Sequence, residues 1–170
     1  MGLYRERTPA GDVWNWREQP SPWRAWREWV QTTDDEHYRL DLAENHLADS
    51  QRLVTVEMWR SSVDQSQLAA ENAAKAALAL LGPVGRTHDP AVLLHRAVAE
   101  ARFPEPLVEN AERLATAAER LGSHLHSLVT YGEEAARRTP WDIFGEGEAR
   151  EFLALAEEAV RLAREIVEAS

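Results

Sequence analysis

The chain has 170 residues, enough for about one domain, and with 44% apolar residues it can bury a core without a metal or a cross-link. It contains no cysteine, which excludes disulfides and thiolate metal sites. A net charge of −10 opposes tight, sequence-independent binding to long nucleic acid, where several phosphates must be neutralised.

No apolar run has the length of a membrane span, and the first residues lack the apolar core of a signal peptide, so a cytoplasmic protein with no membrane partner is expected. Lys75 is the one lysine among nineteen basic residues. Codon bias or growth temperature accounts for that more simply than arginine-specific phosphate chemistry.

Residues 1–36 differ from the rest. Trp14, Trp16, Trp23, Trp26 and Trp29, five of the seven tryptophans, sit among Pro9, Gly11, Pro20 and Pro22. The prolines forbid one continuous helix. From Pro22 the spacing Trp23, Trp26, Trp29–Val30 predicts a short amphipathic helix after an irregular arm. The rings can cover an apolar groove or a dimer seam, the account we prefer, or form a base-stacking platform. Arg17, Arg24 and Arg27 lie between them, but Asp12, Glu18 and Glu28 cancel most of that charge.

The first long helix is expected over 34–58. Asp34, Asp35 and Glu36 suit its positive end, and Leu40, Ala43, Leu47, Val54 and Met58 form its buried stripe. A central helix follows over 64–81. Its Ala69, Ala70, Ala73, Ala74, Ala76 and Ala77 let neighbours approach closely, and Gly82–Pro83 ends it. Asp89–Pro90 then starts a helix over about 90–101, as N-cap and first helical residue, with Val92, Leu93, Leu94, Ala97 and Val98 apolar.

Residues 106–130 carry an unbroken seam of alternating four and three: Leu107, Ala111, Leu114, Ala118, Leu121, Leu125, Leu128. A helical turn through Ala135–Ala136 ends at Arg137–Arg138. The last helix spans 146–168, with Glu146, Glu148 and Glu151 in its first turns and Phe152, Leu155, Ala156, Ala159, Leu162, Ala163 and Ile166 facing inward. No stretch alternates with period two. The reading is an all-α, up-and-down bundle of about five helices over 37–168, preceded by the Trp-rich arm at 1–36.

Three ordered stretches, Gln67 to Leu78, Arg86 to Asp89 and Arg138 to Pro140, resemble the HEPN domain family. Gln67, Ala70, Glu71, Ala74, Lys75, Ala76 and Leu78 are similar to that family's central-helix run. Arg86, Thr87, His88 and Asp89 resemble its following loop, with Pro90 in place of leucine. Arg138–Thr139–Pro140 resembles its Arg-Tyr-Pro loop before the last helix, with Thr139 in place of tyrosine. The resemblance implies a helical domain often encoded beside a minimal nucleotidyltransferase, a homodimer, and a nucleotide- or RNA-associated role in a toxin–antitoxin or defence setting.

It also frames the chemistry. Active HEPN ribonucleases place a His four to six residues after an Arg near the start of the last helix; the Arg holds a phosphate and the His moves a proton. No His follows Arg137 or Arg138 in this chain. Arg120 to His126 and Arg39 to His46 have comparable spacing, but lie within helices at other positions. The phosphate contacts are therefore assigned to Arg86, His88, Arg137 and Arg138, sharing one pocket, with Glu71, Lys75 and Asp89 in support. Glu71 and Lys75, four apart, are more simply a helix-face pair, and a structural account of the loop, also preferred, has Asp89 capping the next helix while His88 bonds a neighbouring backbone group or Glu71.

No Glu-x-x-His occurs, the nearest pattern being Asp34 to His37, and no phosphate-binding glycine motif is present. No metal and no cofactor are expected. A module without catalysis is the leading expectation; a metal-independent ribonuclease using an unorthodox His and a purely structural interaction bundle are the rivals.

Overall fold

The computed structural model describes residues 35–87 and 89–170. Residues 1–34 of the Trp-rich arm, with its expected helix, and His88 lie outside the described residues. Seven helices are found among the described residues: α1 Asp35–Thr55, α2 Trp59–Ala79, α3 Pro90–Ala99, α4 Glu105–Arg120, α5 Ser123–Tyr131, the single turn α6 Pro140–Ile143, and α7 Glu146–Glu168. An isolated bridge, Glu133 to Arg138, is the one β pairing found there.

The first reversal among the described residues comes earlier than glycine punctuation suggests. Asp35 and Glu36 occupy the first turn of α1 and Arg52 its last, each complementing the helix dipole. Glu57 then takes φ 59°. Met58 N–H bonds Leu53 C=O at 2.9 Å and Glu57 N–H bonds Val54 C=O at 3.2 Å, the paired bonds of a Schellman stop. Consequently α2 starts at Trp59 rather than 64, and Met58, expected in the buried stripe, is exposed.

Side-chain pairs fix the helix directions. Between α1 and α2, Arg39 meets Asn72, His46 meets Gln65, and Ser50 meets Ser62, so the two run antiparallel. Glu44 with Arg164 and Gln51 with Glu157 set α1 antiparallel to α7. Arg113 with Glu158 and Arg120 with Glu151 do the same for α4 and α7. Thus α2 and α7 run in the same direction, and α2 touches every other helix described.

Alanine makes that centrality sterically feasible. Ala69, Ala70, Ala73, Ala74, Ala76 and Ala77 are all fully buried. Where α1 crosses, serine replaces alanine: Ser50 Oγ lies 2.8 Å from both Ser62 Oγ and Ser66 Oγ and donates to Ser62 C=O at 2.9 Å. The buried hydroxyls thus satisfy one another, avoiding the cost of unpaired polar groups in a core.

The expected helix over 106–130 is two helices. It breaks at Leu121–Gly122, where a Cβ on Gly122 would approach Glu119 C=O to 3.0 Å. The apolar seam survives the break: Leu107, Ala111, Leu114, Ala118, Leu121 and Leu125 stay buried. Ala135–Ala136 lie in a hydrogen-bonded turn, not a helix. Asp89 does precede α3, with Pro90 at its start, but its side chain makes no capping bond; instead Asp89 N–H donates to Thr87 Oγ1 at 3.0 Å. On α3, Leu94 and Ala97 are buried while Val92 and Leu93 are exposed.

Candidate functional site

The residues 132–144 form a rigid turn built from four local devices. Gly132 adopts φ 73° and closes α5. Glu133 and Arg138 exchange backbone hydrogen bonds at 2.9 and 3.1 Å. Arg137 sits in the left-handed region at φ 53°. Thr139 then donates both its N–H (2.9 Å) and its Oγ1–H (2.6 Å) to Asp142 Oδ2, locking the start of α6, where Pro140 is buried. These bonds hold the Asp142 carboxyl below the ordinary aspartate range: the Thr139 hydroxyl is the largest cause, then the Thr139 N–H, with the Arg138 charge adding to both.

This turn displays Arg137 and Arg138 to solvent. Arg138 bonds Asp142 C=O at 3.3 Å and lies 3.7 Å from the Glu133 carboxylate. Three residues on, Trp141 is 73% exposed. The Arg60 guanidinium stands 5.8 Å from the Trp141 ring centroid, a cation–π distance. Arg60 is itself held by Val129 C=O at 2.9 Å and by Asp64 at 3.6 Å. Trp141, Phe144 and residues 57–61 line a cavity of about 220 Å³, and the exposed Tyr131 ends α5 just before the turn. A flat apolar surface backed by one guanidinium and preceded by two more can stack a planar group and meet an anion. Glu57, Glu133, Glu134 and Asp142 lie on the same segments and offset much of that positive charge.

Sequence reasoning named Arg137 and Arg138 but missed Trp141 and Arg60. The signal was present: a tryptophan beside a proline at the start of a turn is hard to bury. Arg86 lies elsewhere. The loop carrying it leaves the last turn of α2, whereas Trp141 packs at the first turn of that helix, which is about 30 Å long at 1.5 Å per residue. No hydrogen bond or ion pair among the described residues joins Arg86 to Arg137 or Arg138, so the expected shared pocket is not assembled by any described contact.

Glu71 and Lys75 form a ladder along α2. Lys75 Nζ donates to Glu71 Oε1 at 2.6 Å, and Gln67 Nε2 donates to Glu71 Oε2 at 3.1 Å. All three are nearly enclosed. The pair thus answers its own charge within the helix, as the i, i+4 spacing allows. Of the two chance Arg–His spacings, Arg39 is bound to Asp35 (3.5 Å) while His46 Nδ1 lies 2.7 Å from Gln65 Oε1. Arg120 is paired with Glu151. Among the described residues no group of three or more His, Asp or Glu is placed to hold a metal ion, and no helix there is long and apolar enough to cross a membrane.

Comparison with known proteins gives a family and a fold. The HEPN domain family matches residues 37–169. The crystal structure of TT1696 from Thermus thermophilus superimposes with a TM-score of 0.54 at 23% identity, covering 77% of this chain and 97% of that one. No curated protein matches significantly.

Proposed function

Since the chain belongs to the HEPN domain family, we propose that it is a nucleotide- or RNA-associated helical module without ribonuclease chemistry, whose contact site is the Arg137–Arg138 turn with Trp141. The observation that carries this reading is the exposed Trp141 ring, braced by Arg60 and set three residues after Arg138. Trp141 stacks a base, while Arg138, aimed by Glu133 and the Asp142 carbonyl, meets a phosphate.

One feature of the sequence supports the reading without catalysis: no His follows Arg138 at the spacing where active HEPN ribonucleases carry the residue that moves the proton. Association as a homodimer, and action with a minimal nucleotidyltransferase in a toxin–antitoxin or defence setting, belong to the same proposal and rest on the family.

The test is binding and turnover measured side by side. The full chain should bind a short single-stranded RNA, Arg138→Ala and Trp141→Ala should weaken that binding, and the RNA should stay intact in EDTA. Cleavage in EDTA that disappears in His126→Ala would replace this reading with the ribonuclease one. Absence of RNA and nucleotide binding would leave a bundle that docks other proteins.

A further inference from the structure

A second cavity, of about 390 Å³, lies between the last turn of α2, the loop after it, and α3. Its floor is apolar: Leu78 and Ala97 are buried, and Leu81 and Val84 are half-buried. One wall is the Gly82–Gly85 loop. A Cβ built on Gly82 or Gly85 would meet nothing within 4 Å, so the wall leaves open space. The rim carries Leu93, Arg96, Glu100 and Arg102, all exposed.

The two rim guanidiniums are held in place. Arg102 Nη2 donates to Leu81 C=O at 2.8 Å, and Arg96 Nε donates to Glu100 Oε1 at 2.8 Å. Glu100 cancels one of these charges, so Arg96 and Arg102 leave the mouth net positive on a protein of net charge −10. An apolar floor, an open glycine wall and a fixed cationic rim suit one class of ligand.

We infer that this cavity binds a small organic anion, whose planar apolar body lies on Leu78, Leu81 and Leu93 and whose carboxylate or phosphate meets Arg96 and Arg102. This site is built from different residues than the Trp141 site and goes beyond the function proposed above.

The test titrates the full chain with 1-naphthyl phosphate, 1-naphthoate and uncharged 1-naphthol. One of the two anions should bind one-to-one, at least tenfold tighter than naphthol, and the tighter of the two names the head group. Arg102→Gln and Leu93→Glu should each reduce that affinity at least tenfold. Arg102 also holds the end of α2, so Leu93→Glu, at an exposed position, decides the matter if Arg102→Gln unfolds. Equal binding of naphthol, unchanged binding in Leu93→Glu, or no binding at millimolar ligand would each overturn the inference.

Discussion

Gly132 and the carbonyl of Arg138 face each other so closely that a Cβ on Gly132 would lie 2.3 Å from the Arg138 oxygen. The contact closes the turn that presents the two arginines. It is made possible by the positive φ of Gly132 and by the Glu133–Arg138 bridge. A methyl group there meets backbone on one side and Pro140 on the other, and neither can yield cheaply.

Gly132→Ala should therefore destabilise the protein by about 1–3 kcal/mol, from the left-handed backbone and the clash together. Chemical denaturation measures this directly. RNA binding should fall with it, because the turn cannot hold Arg138 and Trp141 in register. A variant as stable as the parent would mean that the turn is not closed as described.

Two helix stops carry the opposite prediction. Glu57 and Ala101 occupy left-handed positions, at φ 59° and 52°, where glycine is the favoured residue. Each completes a Schellman pair; Arg102 N–H bonds Ala97 C=O at 3.0 Å behind Ala101. Ala101→Gly should stabilise by about 0.5–1 kcal/mol, relieving backbone strain that exceeds the added entropy of the unfolded chain. Glu57→Gly should act the same way. Thermal melts of the single and double variants check both, and the two gains should add because the sites do not touch.

These same stops explain which parts of the fold could be read from residues alone. The alanine run, Gly82–Pro83 and Asp89–Pro90 announce themselves through composition, and the structure places those boundaries within a residue or two. At Glu57 no glycine marks the reversal, so the end of α1 and the start of α2 were illegible. Leu121 continues the apolar seam across the break at Gly122, so periodicity alone reported one helix there. For the proposed contact turn, family resemblance points to Arg137 and Arg138, and the structure shows only that both are exposed there. Arg60 was not, because its link to Trp141 depends on how α2 and α6 pack.

Acid should loosen the site before it unfolds the bundle. The Asp142 carboxyl titrates below the ordinary aspartate value because the ionised form accepts two Thr139 hydrogen bonds. A depressed folded-state pKa gives stabilisation that is fully present above the unfolded value, about 4, and is lost as pH falls through the lower folded one. Carboxyl NMR should place the Asp142 midpoint below that of an unfolded aspartate. Below pH 4 the Thr139 amide should lose exchange protection, while Asp142→Asn should show no such pH step. A midpoint at the ordinary value would contradict the lock.

Salt dependence separates the proposed contact from a general nucleic-acid surface. If Arg137 and Arg138 meet two phosphates, the logarithm of RNA affinity should fall against the logarithm of salt with a slope of about −1.4, at roughly 0.7 per contact on single strands. Arg138→Ala should halve that slope. Trp141→Ala should leave it unchanged while lowering affinity by about 1–3 kcal/mol, the range for one base stacked on an aromatic ring, and Trp141→Phe should recover part of the loss. A steeper slope would require cations beyond this turn, and the flanking Glu133, Glu134 and Asp142 argue against finding them there.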